Sequence, residues 1–428
     1  MVAKIKSIFS SDLLKVFSFT GLSTLIKLIT SYVSVKVVAA IVGPSGIALI
    51  GQLQNFINIM ITLGAGGINN GVVKYVSENK ADRTVLGKFL QNGIRLTVVF
   101  SLFFGFLLLV LSKFLSQWIL LSSSYAYVFI FFGITLLLLS LNNFFISVLN
   151  GFKEFKTFVY INIITSVLSL IFTVALVFFF HLKGALIAAV TAQSIILFVT
   201  VFFLRKFVWF DRDYLLGKFD RNIVRKYLSY SAMALITAAT APVSQLVVRG
   251  YIIKNYSITE AGYWEAMNRI SALLLLFVTT SFSVYYLPKF SETHDKDLLR
   301  IEIKKAYKII TPVLLLMLSG IFVLKIFIIR LLFTKEFFPM ENLFFWQLLG
   351  DFFKILSWIL AFLMVAKSMT RLFIITEIVF SALFVGLAVL LIMKHGIIGA
   401  TQAYFINYLL YFIIMLVVFR KLLFKFKP

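Results

Sequence analysis

Residues 14–42 read LKVFSFTGLSTLIKLITSYVSVKVVAAIV. The run is long enough to cross a bilayer, which takes about 20 mainly apolar residues. Yet Thr20, Ser23, Thr24, Lys27, Thr30, Ser31 and Ser34 recur at i, i+3/i+4 spacing and fall on one face of a helix. Such a polar stripe faces water or protein, because unsatisfied polar groups are not tolerated against lipid. A charge near the membrane centre costs at least ~2.5–3.5 kcal/mol, so Lys27 is a functional candidate. Lys36 points to the opposite face near the outer end, where it snorkels.

Eleven further segments follow, and the expected spans are 14–42, 47–76, 86–112, 125–150, 157–180, 184–204, 227–253, 259–286, 309–331, 340–366, 371–393 and 397–419. With 61% hydrophobic and 14% charged residues in 428, and a mean hydropathy of +1.01, the composition fits an all-α polytopic membrane protein and excludes a soluble one. A net charge of +24 would suggest nucleic acid in a soluble chain, but here its distribution serves topology. The chain has no cysteine, hence no disulfides or thiolate sites, and His181, His294 and His395 are scattered near segment ends with no metal-ligand spacing. No cofactor is expected.

Most of the 41 Lys and Arg fall at the two termini and in the loops after even-numbered segments. The positive-inside rule then places both termini in the cytoplasm. Lys4 and Lys6 precede a segment too long for the apolar region of a cleavable signal peptide. The basic stretch 205–226 divides the chain into six-segment lobes, 1–204 and 227–428, and lies against anionic lipid. The halves echo weakly: Lys74-Tyr75-Val76-Ser77-Glu78 answers Lys289-Phe290-Ser291-Glu292. Six is even, so the lobes share an orientation, with pseudo-two-fold symmetry along the membrane normal.

Other intramembrane cations are Lys74, Arg95, Arg269, Lys325 and Lys354. Segment two adds Gln52, Gln54, Asn55, Asn58, Thr62, Asn69 and Asn70 around the run Gly64-Ala65-Gly66-Gly67, which permits close packing or a local break. Segment seven has Gln245 and Arg249 one turn apart after Pro242, which would kink it. Segment eight opens with the capping box Ser257-Ile258-Thr259-Glu260 and carries Glu265, Asn268 and Arg269, the last about 18 Å into the helix at 1.5 Å per residue. Plainer readings stand beside these. Glu265–Arg269 and Asp351–Lys354 are spaced for self-neutralising pairs, the amides for interhelical hydrogen bonds, and Arg371 and Glu377 for snorkelling. The polar faces of segments 1, 2, 7 and 8, the first two of each lobe, are where a repeat-built transporter places its shared cavity.

The stretch Gly43-Pro44-Ser45-Gly46 through Gly64-Ala65-Gly66-Gly67-Ile68-Asn69-Asn70-Gly71-Val72-Val73-Lys74-Tyr75-Val76 resembles the early signature of Wzx-type O-antigen and enterobacterial-common-antigen translocases. Met233-Ala234-Leu235-Ile236-Thr237, Pro242, Arg249, Gly262-Tyr263-Trp264 and Ser281 to Pro288 agree. The resemblance implies the multidrug/oligosaccharidyl-lipid/polysaccharide exporter superfamily and a V-shaped pair of six-helix lobes. It also implies a bacterial inner-membrane flippase that carries an undecaprenyl-diphosphate-linked oligosaccharide to the outer leaflet, alongside other polysaccharide-assembly membrane proteins. Arg269 and Lys36 lie outside its motif. Lys27, Arg249 and Arg269 are expected to form a cationic central cavity for the diphosphate, with Lys74 near the cytoplasmic mouth and Asn55, Asn58 and Asn268 bonding sugar or phosphate.

Two negative charges moving outward gain about 2.3 kcal/mol per charge per 100 mV. Proton or sodium coupling through Glu265, Asp351 or Glu377 is the other supply. The alternatives are a cation-coupled multidrug exporter, which would show buried acids rather than an excess of cations, and a lipid II flippase, which usually has one or two more helices. A polymerase or ligase on the same glycolipid would need a large outward loop with catalytic residues, and every outward loop is short.

Overall fold

The computed structural model describes the backbone of residues 11–211, 219–282, 286, 289–290, 293, 295–367 and 369–423. The expected motif residues Ser283 to Tyr285, Leu287 and Pro288, and the loop cations Arg212 and Lys218, lie outside them, as do the side chains of Thr20, Met233 and Thr237.

Helix α1 (Ser11–Gly64) holds the first two expected segments, interrupted at Gly43 by a non-helical φ of 63° just before Pro44. Glycine tolerates that backbone and proline opens a helix well, so the pair Gly43-Pro44 ends one span and starts the next. The second segment stops at Gly64: Gly66 and Gly67 take positive φ (67° and 66°), and the polar remainder forms the separate α2 (Asn69–Asn79). The glycine run is therefore a break. Helix α3 (Arg83–Val110), capped by the Asp82 carboxylate, is followed by the short α4 (Ser112–Ile119), α5 (Ala126–Phe152) and α6 (Phe155–Leu204). Inside α6, His181 has a φ of 52° and separates the fifth and sixth expected segments.

Then come α7 (Arg221–Asn255), α8 (Ile258–Ser281), whose N-cap Ser257 accepts from the Glu260 amide, α9 (Lys296–Val323), the short α10 (Lys325–Leu332), α11 (Phe344–Ala366), α12 (Thr370–His395), α13 (Ile398–Val418) and α14 (Arg420–Leu423). Helix α9 begins well before the expected start of segment nine, because Lys296 to Lys308 extend the helix beyond its apolar part. Among the described residues nine helices are long and apolar enough to cross a membrane. Large side chains such as Phe179 (71% exposed) and Leu316 (79%) stand on their outer surfaces, as a lipid-facing wall requires and a water-facing one does not. The chain is a multi-pass membrane protein.

The halves repeat in their order of elements. Helices α3 and α9 are each followed by an eight-residue helix and a 3-10 stretch, Ser123–Tyr125 and Lys335–Leu343. The turn into the last span recurs too. A Cβ at Gly184 would overlap the Leu176 carbonyl oxygen and one at Gly399 that of Leu391, so both close returns require glycine.

By packing, the chain divides into two compact units, up to Val42 with 52–239, and 43–51 with Thr240 onward. In the first, α5 packs against α2, α3 and α6, around Val72, Phe89, Phe144, Val148 and Tyr227. Here Trp209, from the basic loop, stacks on Phe152 at 5.2 Å, and the Tyr227 hydroxyl donates to the Phe89 carbonyl (3.1 Å). The first part of α7 thus belongs by contact to this unit, whereas the division at 205–226 follows topology. In the second unit α11 is the hub, against α8, α9, α12 and α13, and a second core gathers Ala48, Val248, Trp264, Ala388 and Ala403.

Candidate functional site

The second unit holds a buried ion triad. Arg249, on α7, is fully buried at 0% exposure, and its Nη2 donates to Glu265 Oε2 on α8 and to Gln245 Oε1 at 3.4 Å. The other Glu265 oxygen accepts from Arg269 Nε at 2.9 Å. Trp264 lies under the Arg249 guanidinium, 5.4 Å from it. One carboxylate between two guanidiniums leaves the group with one net positive charge. A buried guanidinium is retained only when paired and hydrogen-bonded, which explains the first bond. The second is the i, i+4 pair expected from spacing alone.

Local backbone holds this arrangement. A Cβ at Gly51 would collide with the Glu265 carboxyl, so α1 meets that side chain through bare glycine. A Cβ at Gly262 would overlap the Pro44 carbonyl, bringing the start of α8 onto the chain beside the Gly43 break. Ser45 and Thr259 hydroxyls hydrogen-bond at 3.1 Å across the same approach.

Within the triad the roles differ. Arg249 is sealed off, while the Arg269 side chain is 23% exposed. Arg269 is thus the member able to meet a ligand, and Arg249 positions it through Glu265. Asn268 Nδ2 and Trp264 Nε1, near neighbours of these groups in the chain, are buried donors with no hydrogen-bond partner among the described residues. Unsatisfied N–H groups beside a surplus guanidinium suit an anion.

The remaining expected residues fall elsewhere. In the first unit Lys27 is exposed, and Thr30, one turn on, donates to the Ile26 and Lys27 carbonyls at 2.9 and 3.1 Å. Asn55 is half-buried and Asn58 exposed, the latter accepting from Gln54 Nε2 (3.1 Å). Lys74 lies 4.0 Å from Glu78 and over the Tyr75 ring.

In the second unit Asp351 is fully buried. It does not pair with Lys354 as the spacing suggested. Its oxygens accept from the Ser271 hydroxyl (2.7 Å) and the Tyr404 hydroxyl (2.8 Å), with Gln347 donating to Ser271 at 3.1 Å. Lys354 instead lies over Tyr408, Tyr404 and Trp358, 4.7, 5.3 and 5.5 Å from their ring centres. Glu377 lines a cavity with it. Lys325 is 4.0 Å from Glu341. Sequence reasoning gave no site role to Trp264, named only within the resemblance, and did not find Ser271, Gln347 or Tyr404, since long-range partners leave no periodic signal.

A family model described as polysaccharide biosynthesis protein matches residues 13–294. The chain belongs to that family. The match bears out the resemblance read in the glycine/asparagine stretch, which it spans. The lipid III flippase of Escherichia coli strain K12 is 28% identical over 405 residues, covering 94% of this chain and 96% of that protein, and that of Shigella flexneri matches equally. Among solved structures, the lipid II flippase MurJ in its inward closed conformation superposes with a TM-score of 0.74 at 16% identity, over 95% of this chain and 87% of that one. An inward-facing multidrug resistance transporter of the MATE family gives 0.71 at 14%, over 92% and 95%. These two likenesses show that the chain shares their fold.

Proposed function

We propose that this protein is a flippase that moves an undecaprenyl-diphosphate-linked oligosaccharide from the cytoplasmic to the periplasmic leaflet of a bacterial inner membrane. The observation that carries the reading is the buried triad with its surplus positive charge and its partly exposed Arg269. A membrane segment keeps such a charge at a cost, and a diphosphate repays it. The extended relationship to lipid III flippases supports the same class of cargo and a transporter rather than an enzyme.

In this reading the nine long helices stand for twelve spans. Helices α1 and α6 each contribute two, divided at Gly43 and His181, and α8, excluded from the nine, is the twelfth. They form two six-helix lobes related by an axis along the membrane normal, with both termini cytoplasmic. Lys27 of the first unit and Arg269 of the second each offer a cation to the diphosphate during alternating access. Asn268 donates beside Arg269, Lys74 acts near the cytoplasmic mouth, and Asn55 and Asn58 meet sugar or phosphate. Membrane potential supplies a bias, and proton coupling through Asp351 or Glu377 is a further supply.

A cation-coupled drug exporter of the same fold is the second reading, favoured by the MATE-family likeness. It is weaker because Glu265 and Asp351 already have their partners, leaving neither acid open to a cationic drug. Export from inverted vesicles separates the two: loss of diphosphate-lipid transfer with uptake of a lipophilic cation retained would favour the exporter.

A further inference from the structure

A cavity of about 100 Å³ opens within the second unit among α7, α11, α12 and α13. An enclosed cavity of about 150 Å³ holds benzene, so this smaller, partly open one takes several waters or the hydroxyl-bearing side of one sugar ring that stays partly outside it, not a chain of sugars. Its wall is unusual for a membrane lobe. Lys354, Gln245, Thr376, Glu377 and Asn407 line one part, and Phe380 and Phe384 lie among the apolar lining.

Two features point to a ligand. Asn407 is only 4% exposed, yet its Oδ1 has no hydrogen-bond partner among the described residues. A buried acceptor left open in this way calls for a donor from outside the fold. Lys354 is the second feature. Its ammonium rests on three ring faces and has no carboxylate at ion-pair distance among the described residues, so its N–H donors stay available to the cavity.

The cavity therefore offers an ammonium that donates, an amide oxygen and a carboxylate that accept, and an aromatic face. A metal cation fits poorly, since the site already holds its own positive charge and no cluster of three or more His, Asp or Glu exists among the described residues. A hydroxyl-rich pyranose fits each part: its oxygens serve as donors and acceptors, and its C–H face packs on aromatic rings. We infer that this cavity is a subsite for a single sugar ring of the lipid-linked glycan, with Lys354 and Asn407 as its specificity-determining contacts. The inference rests on the flippase reading for the source of the sugar. The binding chemistry stands without it.

The test has two arms. Purified full-length protein is titrated with free glucose, N-acetylglucosamine and glucuronic acid, following tryptophan fluorescence, since Trp358 is in the wall. At least one sugar should bind saturably, and Asn407→Leu should weaken it at least tenfold. Thr376→Val serves as the second, milder variant should Asn407→Leu accumulate poorly. In proteoliposomes, initial transfer rates are compared for undecaprenyl diphosphate with and without its glycan. The rate ratio favouring the glycan-bearing lipid should fall at least fivefold in the variants.

Sugar binding in a protein that transfers no diphosphate lipid would remove the flippase reading and keep the subsite. Transfer by wild type with no sugar binding, or with a ratio unmoved in both variants, would overturn the subsite and keep the flippase. Loss of sodium- or proton-stimulated transfer in the variants, with the ratio unmoved, would likewise overturn it and assign a coupling-ion site.

Discussion

Replacing Glu265 by Gln removes the charge that both arginines share while preserving the side chain's shape. Arg249 is wholly buried, and its Nη2 bond to Glu265 and that of Arg269 to the same carboxylate are both charge-assisted. Each such bond contributes about 1.5–3 kcal/mol, and a buried charge stripped of its partner costs about 3–5 kcal/mol. Because Gln keeps one acceptor oxygen but cannot neutralise Arg249, the loss should lie in that range, a large part of the ~5–15 kcal/mol that holds a typical fold. Reversible unfolding in mixed micelles, followed by tryptophan fluorescence, measures it. The double variant Arg249→Met with Glu265→Leu should regain most of the loss, since apolar groups of similar volume often replace a buried ion pair without penalty. Arg269→Gln alone, at a partly exposed site, should cost no more than about 1 kcal/mol. A loss below about 1 kcal/mol for Glu265→Gln, or a double variant no better than Glu265→Gln, would refute the reasoning.

Gly51→Ala should displace the Glu265 carboxyl it would overlap and cost about 1–3 kcal/mol, most of it absent when Glu265 is already Ala, as a double-mutant cycle in the same unfolding assay would report. Gly262→Ala meets the Pro44 backbone rather than a movable side chain, so it should lower the folded yield in membranes more than Gly51→Ala does. Tyr404→Phe takes one donor from the buried Asp351 and should destabilise by about 1.5–3 kcal/mol. The Thr84 hydroxyl, and then the Val85 amide, hold the Asp82 carboxyl below the ordinary value of 3.8. The cap is therefore formed above that value and lost as pH falls through the lower, folded one. The first-turn amides of α3 should then lose hydrogen-exchange protection on acidification, and Asp82→Ala should abolish that dependence.

The sequence made the span boundaries readable wherever composition or backbone chemistry changes sharply. Gly43-Pro44 and His181 fall where apolar runs were divided, and the break after Gly64 was one of two outcomes the glycine run allowed. The extended α9 was missed because Lys296 to Lys308 are polar but still helix-forming. At the site, spacing alone supplied Glu265–Arg269, as it does any pair one turn apart. The bond from Arg249 joins different helices and depends on how α7 and α8 pack. The same limit explains Asp351: spacing suggested Lys354 as its partner, whereas packing of α13 brought Tyr404 to the carboxylate and aromatic rings to the lysine.

In the proposed function, intramembrane cations carry a diphosphate-linked glycan across the bilayer. The most direct measurement is transfer of a labelled undecaprenyl-diphosphate oligosaccharide in proteoliposomes, comparing wild type with Lys27→Ala and Arg269→Ala at equal amounts of folded protein. Protein-dependent transfer in the wild type, abolished in both variants, is the predicted result. Wild-type rates in both variants would contradict it, as would a protein that moves no diphosphate-linked glycan but exports a free cationic compound.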